Sequence, residues 1–142
     1  MVRLRAIREA QIDSEFTGFD GETLFAFTDG TFWVQDEYKY WYHYAYRPQV
    51  TLFESGGRLH LQAFGQSVAV RQVFNVIVSQ VEGTFQGWNG DSEYTLSNGQ
   101  TWKQAAYKYT YRYAYRPRAL VYNSGSGFVM DVAGTRAKVR HA

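Results

Sequence analysis

The sequence predicts an all-β protein made of two tandem copies of one small module. Three observations support this: the chain matches itself at a shift of 69 positions, turn dipeptides recur at that shift, and apolar residues alternate with polar ones. Aromatic residues, which favour pleated strands, make up 18% of the 142 residues. We expect about five strands in each copy, folded as a small β-barrel, with the two copies packed as one pseudo-twofold unit.

The self-match is ungapped and covers most of the chain. Residues 12–73 align with residues 81–142, and 20 of the 62 pairs are identical. The β-branched segment at residues 73–80 predicts a strand before the second copy, and we expect a matching strand at residues 4–10. The copies therefore span residues 1–73 and 74–142. Barrels that share a long strand around residues 68–78 would bury more surface than either barrel alone.

Turn signals divide each copy into strands. Asp20-Gly21 and Asp29-Gly30 in the first copy match Asn89-Gly90 and Asn98-Gly99 in the second. These dipeptides favour tight hairpins because their residues readily adopt positive φ angles. Turn signals at a spacing of about 8–12 residues are typical of sandwiches and barrels.

Each copy contains a strand with tyrosine at every second position. The first begins at Tyr38 and ends before Pro48, and its copy begins at Tyr107 and ends before Pro117. Alternate side chains of a strand point to opposite faces, so the five tyrosines of each copy share one face and the interleaved residues share the other. If the strand continues through the proline, the tyrosines share a face with the apolar Val50 and Leu52, so they point partly inward and the basic side chains point outward. A proline at a strand edge or bulge could break this parity.

Two interpretations of these strands remain open. In the first, the tyrosines are amphipathic core residues and the basic side chains are their solvated side. In the second, aromatic rings and cations form a binding track, because rings stack on bases or sugars and Lys and Arg supply charge. Under the second interpretation, the predicted ligand contacts are Lys39, Trp41, His43, Arg47, Lys108, Arg112, Arg116, Trp33 and Trp102. The last two are also candidates for core anchors, and the neighbouring Gln35 and Gln104 could orient a polar ligand.

The net charge of +2 and the pI of about 8.8 are mildly basic. They fit an anionic partner but fall well below the charge of a dedicated nucleic-acid-binding domain. The aromatic and basic strands favour a non-enzymatic binding or adaptor protein, with an anionic polymer such as single-stranded nucleic acid as the most testable partner. A peptide- or protein-interaction module is the first alternative. A carbohydrate-binding protein, made bivalent by its duplication, is the second.

Enzymatic and metal functions lack sequence support. The chain has no cysteine, no Gly-x-Ser-x-Gly motif and no phosphate-binding loop. His43, His60 and His141 do not occupy recurring positions, so we predict no metal site and no cofactor. The N-terminus has charges every few residues and does not resemble a signal peptide, and the apolar runs are too short for a membrane span. We therefore expect a cytoplasmic protein that does not enter membranes.

The motifs of the second copy resemble a short β-repeat of uncharacterised bacterial proteins. They are Gly83-x-Phe-x-Gly-Trp88-x-Gly90, Leu96-x-Asn-Gly99-x-x-Trp102-x-Gln104 and Tyr111-x-Tyr-Ala-Tyr115-x-Pro117, followed by a Ser-Gly-Ser-Gly turn. The resemblance covers nearly all of both copies, and the first copy departs from it at Phe19, Asp29 and His60. It implies a tandem small β-barrel, analogous in architecture to Src-homology barrels, and no particular activity.

Overall fold

The computed structural model describes the backbone of residues 5–142, and the regular elements in that range are all β-strands. The prediction of an all-β fold is therefore confirmed. Two compact units meet in sequence between Phe74 and Asn75. Leu4, where we expected the first strand to begin, lies outside the described residues.

The first unit contains eight strands within its described residues. They are β1 (Arg5–Gln11), β2 (Glu15–Asp20), β3 (Leu24–Ala26), β4 (Phe32–Gln35), β5 (Tyr40–Tyr46), β6 (Gln49–Ser55), β7 (Arg58–Ala63) and β8 (Gln66–Val73). Six of them form an antiparallel sheet in the order β1-β6-β7-β8-β4-β3. The other two, β2 and β5, pair only with each other and form a two-stranded ribbon.

The second unit also contains eight strands. They are β9 (Ile77–Gln80), β10 (Thr84–Asn89), β11 (Glu93–Thr95), β12 (Thr101–Gln104), β13 (Tyr109–Tyr115), β14 (Arg118–Asn123), β15 (Phe128–Val132) and β16 (Thr135–His141). Its six-stranded sheet has the order β9-β14-β15-β16-β12-β11, and β10 pairs with β13 in a ribbon. Its strands begin 69 positions after those of the first unit, apart from β9 and β15, which begin later.

Two details of the predicted architecture are wrong. Each unit has eight strands within residues 5–142, not about five, because three-residue strands such as β3 are too short to show an alternating pattern. No long strand spans residues 68–78, since β8 ends at Val73 and β9 begins at Ile77. Between them Asn75 has a φ of +61°, a left-handed conformation that interrupts an extended chain.

Each six-stranded sheet curls until its edge strands meet at one end. Ile12, just after β1, forms an antiparallel bridge with Phe27, just after β3. Val81 and Leu96 form the same bridge in the second unit. Within each unit, the curled sheet surrounds a hydrophobic core.

The ribbon of each unit contributes its inner face to that core. Phe16 and Phe19 of β2 are fully buried, and Trp41 and Ala45 of β5 pack against the same cluster. In the second unit, Phe85 and Trp88 of β10 are buried in the corresponding cluster. The remaining buried residues of the first cluster are Ile12, Phe25, Phe27, Trp33, Val50, Leu52, Leu61, Ala63, Val68 and Val70. Those of the second are Val81, Leu96, Trp102, Ala119, Val121, Met130, Val132, Ala137 and Val139.

A buried glutamine forms hydrogen bonds to the turn that follows the first strand of each ribbon, β2 or β10. The Gln35 side chain accepts from the amides of Asp20 and Gly21 and donates to the carbonyls of Glu37 and Lys39. The Gln104 side chain binds the same turn in the second unit, accepting from Gly90 and donating to Ala106 and Lys108. Because these amides serve backbone groups inside the fold, they do not orient a ligand.

Candidate ligand-binding surface

The tyrosines of each ribbon lie on its solvent-exposed side. We call Tyr38, Tyr40, Tyr42, Tyr44 and Tyr46 the first tyrosine face, and Tyr107, Tyr109, Tyr111, Tyr113 and Tyr115 the second. The ten side chains retain between 53% and 87% of their accessible surface. At about 3.3 Å per residue, each face extends for about 26 Å. This exposed aromatic surface makes the two tyrosine faces the candidate ligand-binding surface of the chain.

The prediction that the tyrosines point partly inward is wrong, and the backbone at the end of the strand explains why. Arg47 and Arg116 have φ angles of +51° and +49°. A left-handed residue before each proline reverses the alternation of side chains, so the parity of Val50 and Leu52 cannot be extended back to the tyrosines. The interleaved residues, such as Trp41, face the core instead.

A glycine bulge in β2 and β10 adjusts the register of each ribbon. The pairing with the tyrosine strand shifts between Phe16 and Gly18, and equally between Phe85 and Gly87. Both glycines have a φ of +94°, and a Cβ would lie 1.9 Å from the carbonyl oxygen of Trp41 or 2.0 Å from that of Thr110. Only glycine fits these positions, which are identical in the two copies.

The two predicted lysine contacts, Lys39 and Lys108, lie on the side of the strand opposite the tyrosines, as the alternation of side chains predicts. The Lys39 ammonium donates to the Ser67 carbonyl at 2.7 Å and lies 6.0 Å from the Phe19 ring centroid. Lys108 donates in the same way to the Arg136 carbonyl. Both lysines therefore bind backbone within their own unit.

The remaining predicted contacts occupy three different environments. His43 stacks between Trp41 and Phe64, with ring centroids 5.3 Å and 4.2 Å away. Arg47 and Arg116 are exposed directly after the tyrosine strands β5 and β13. Their backbone carbonyls accept hydrogen bonds from the side chains of Gln11 and Gln80. Arg112 is exposed at the position that matches His43.

Trp33 and Trp102 occupy the two cores. Their side chains keep 5% and 0% of their surface, so neither offers a stacking platform to a ligand. The alternative interpretation, that they are core anchors, agrees with this burial. The Trp33 indole N–H donates to the Thr31 hydroxyl at 3.0 Å, whereas the Trp102 indole N–H is buried without a partner among the described residues.

The first tyrosine face has carboxylates beside it. Glu15 pairs across the ribbon with Tyr46, and Asp20 pairs with Tyr40. The Tyr44 hydroxyl lies 3.5 Å from a Glu15 carboxylate oxygen, and the negative charge of Glu15 raises the pKa of Tyr44 above its usual value. These carboxylates make the first face unfavourable for a polyanion.

Neutral side chains flank the second tyrosine face. Thr84 and Asn89 replace the two carboxylates, and Gln86 lies between them on β10. A depression of about 210 Å³ opens between Tyr109 and Tyr111 and these neighbours. Its complete lining is Gln86, Gly87, Trp88, Asn89, Ser92, Tyr94, Tyr109, Thr110 and Tyr111.

The polar lining of this depression was missed by the sequence reasoning. Asn89 had been assigned only to a turn, and Gln86, Ser92 and Tyr94 to no site at all. A signal was present in the alignment, because the repeat places a neutral Asn89 opposite an acidic Asp20.

The three histidines lie apart from acidic groups that could complete a metal site. His60 stacks on Phe53 at 5.1 Å, and His141 stacks on Trp102 at 4.0 Å. Among the residues with described side chains, no cluster of three or more His, Asp or Glu side chains could hold a metal ion. The described part of the chain also contains no helix long and apolar enough to cross a membrane.

The chain matches no protein-family model, and neither a curated protein nor a solved structure shows significant similarity to it. The resemblance to a bacterial β-repeat accordingly stays a prediction from the residues that carry it.

Proposed function

We propose that this is a non-enzymatic binding protein whose ligand lies along the tyrosine faces. The observation that supports it is the exposure of ten tyrosine rings in two rows, each on a ribbon whose other side is anchored in a core. Tyrosine suits a binding surface because a ring with two rotatable bonds offers a large contact area and a hydroxyl at low entropic cost. A rigid strand holds each row in place before the ligand arrives.

An uncharged ligand fits these faces better than the single-stranded nucleic acid that the aromatic and basic strands suggested. Lys39 and Lys108 are engaged with backbone carbonyls, and Glu15 and Asp20 flank the first row. A phosphate backbone on the first face would lie beside these two carboxylates, which repel it. Extended carbohydrate chains and extended peptides avoid this cost, and both place apolar surface on aromatic rings.

We further propose that the two units are tandem copies of one small barrel of the bacterial repeat type. The supporting observation is the same strand order in both units, with a ribbon of the same register and the same bulge glycine in each. Pseudo-twofold packing of the copies and a cytoplasmic location remain predictions from the sequence.

Binding to immobilised probes tests the proposed function. The probes are neutral oligosaccharides, polyproline and oligothymidylate, each measured with the wild-type chain and with a variant in which Tyr40, Tyr42, Tyr109 and Tyr111 are changed to Ser. We expect the wild type to bind at least one uncharged probe, with an affinity that changes little between about 50 and 500 mM salt. The variant should bind at least about tenfold more weakly. Its fold should persist, because the replaced rings are exposed.

The matched control is Arg47→Gln with Arg116→Gln, which removes exposed charge and leaves the tyrosines in place. This control should bind the uncharged probes like the wild type. Binding of oligothymidylate alone, lost in the arginine control and steeply dependent on salt, would overturn the proposal and restore the nucleic-acid hypothesis. Failure to bind any of the three probe classes would also overturn it.

A further inference from the structure

The depression on the second ribbon differs from the rest of the tyrosine faces in being concave, polar and uncharged. Tyr109 and Tyr111 of β13 border it, together with Gln86 and Asn89 of β10 and Ser92 of the following turn. No Asp, Glu, Lys, Arg or His contributes to its lining. An ionic ligand would therefore lose its hydration there without gaining a counter-charge, so the site favours a neutral molecule.

Hydrogen bonds fix the frame of this depression while leaving donors free. The Tyr94 hydroxyl donates to the Gly87 carbonyl and accepts from the Gln86 amide N–H at 3.2 Å. The Asn89 side-chain oxygen accepts from Asp91 N–H at 2.9 Å and from the Ser92 hydroxyl at 3.1 Å.

The free groups are the side-chain amide of Gln86, the NH₂ of Asn89 and the hydroxyls of Tyr109 and Tyr111. None of them hydrogen-bonds to another residue of the described chain. The site therefore presents several hydrogen-bond donors. The two tyrosine hydroxyls and the side-chain oxygen of Gln86 can also accept hydrogen bonds.

Size limits the ligand to a single ring. A volume of about 210 Å³ is below the roughly 300–1,000 Å³ of pockets that enclose drug-sized molecules. A pyranose ring combines the properties that this site requires, since its C–H face packs on aromatic rings and its hydroxyl edge bonds to amides and hydroxyls. A chain of such rings could continue along the remaining tyrosines, which follow one another in a row.

The first unit has different side chains at the positions that line this depression, although its ribbon pairs in the same register. At the four matching positions it has Thr17 for Gln86, Asp20 for Asn89, Phe25 for Tyr94 and Trp41 for Thr110. Trp41 packs at 5.2 Å from Phe19 and 6.1 Å from Phe16, where the second unit has only the small Thr110. Asp20 adds a carboxylate in place of a neutral amide.

We infer that the depression between Tyr109 and Tyr111 is a subsite for one neutral sugar residue of a polysaccharide, present in the second unit and absent from the first. This inference rests on the proposed function and deepens it by naming the class of ligand. The first tyrosine face then adds affinity along a longer chain without selecting an individual sugar.

Calorimetric titration with cellopentaose, maltopentaose and chitopentaose tests the inference on the full chain. We expect at least one of the three to bind, and binding to weaken at least tenfold in the double variant Gln86→Thr with Asn89→Asp. Both replacements are the residues of the first unit at those positions, so the ribbon accommodates them. An unchanged urea unfolding midpoint verifies that the fold is intact.

The matched control is Thr17→Gln with Asp20→Asn, which makes the opposite exchange on the first ribbon and should change the affinity less than twofold. Equal loss of affinity in both double variants, or no loss in the second-unit variant, overturns the subsite. The proposed function still stands in that case if the Tyr→Ser variant binds more weakly than the wild type. Binding of polyproline but of none of the three oligosaccharides overturns the carbohydrate assignment and again leaves the proposed function standing. If neither class binds, both proposals fail.

Discussion

In the first unit the tyrosine face lies beside Glu15 and Asp20, whereas in the second the matching positions hold Thr84 and Asn89. The difference extends to whole units. The first carries seven Lys and Arg against nine Asp and Glu, a net charge of −2, and the second carries eight against four, a net charge of +4. The backbone of the ribbon is shared, and the electrostatic environment of its tyrosines is not.

Core packing shows the same separation of shared backbone from divergent side chains. Phe19 pairs with Trp41 across the first ribbon, and Trp88 pairs with Thr110 across the second. The first ribbon therefore places two large side chains opposite each other, whereas the second places a large one opposite a small one. Thr110 lines the depression on the second ribbon, so the side chains of a repeat can change the shape of its surface while the backbone pairing stays the same.

The largest expected effect tests the backbone that both ribbons share. Gly18→Ala and Gly87→Ala should each lower the free energy of unfolding by about 3 kcal/mol or more, since a Cβ collides with a carbonyl oxygen at a positive φ. Urea unfolding, monitored by tryptophan fluorescence, measures this change in the free energy of unfolding. Gly99→Ala is the control, because its φ is +91° but no atom lies within 4 Å of the new Cβ, and it should cost only about 1–2 kcal/mol. Tolerance of alanine at one bulge alone would mean that the ribbons differ in backbone.

A smaller effect is expected from the two core tryptophans. Thr31 satisfies the Trp33 indole N–H, and Gln100 occupies the matching position of the second unit, where the Trp102 indole N–H is unsatisfied within the described chain. Gln100→Thr should therefore raise the stability of the second unit by about 1 kcal/mol. The reverse change, Thr31→Gln, should lower that of the first by a similar amount. If both variants unfold at the wild-type urea concentration, the hydroxyl does not contribute to stability.

The smallest effect concerns the pH dependence of the first unit. The Thr31 hydroxyl hydrogen bond, with a further contribution from Arg8, lowers the pKa of Asp29 below its usual 3.8. The ionised carboxylate of Asp29 therefore stabilises the folded state at pH values above 3.8, the usual pKa of the group. This contribution is lost as the pH falls through the lower pKa that Asp29 has in the folded state. The second unit has Asn98 there and Ile77 in place of the arginine.

Asp29→Asn should consequently destabilise the protein at pH 7 by less than about 1 kcal/mol, because the ion pair is exposed. The difference from wild type should shrink as the pH approaches 3. Urea titrations at both pH values measure this, and a difference that grows on acidification would contradict the assignment.

Much of the fold was predictable because its signals are local. The positive φ of Gly30 and Gly99 follows from the Asp-Gly and Asn-Gly dipeptides at those turns, as predicted. The burial of Trp33 and Trp102 agrees with one of the two interpretations of those residues. The surroundings of the candidate site were less predictable, because Lys39 and Lys108 each donate to a carbonyl that lies 28 residues further along the chain. No local pattern reveals a partner at that distance.

The sequence by itself determined that the chain is all-β, that hairpins turn at Asp29-Gly30 and Asn98-Gly99, and that its residues recur at a 69-position shift. The hairpins predicted at Gly21 and Gly90 are wrong, because those turns connect a ribbon strand to a strand of the six-stranded sheet. Only the tertiary structure decided which side of the tyrosine strands meets solvent. The physical reason is that strand faces alternate with a period of two, so one left-handed residue at Arg47 or Arg116 is enough to exchange inside and outside. Which face is buried then depends on the core that Phe16, Phe85 and their neighbours form.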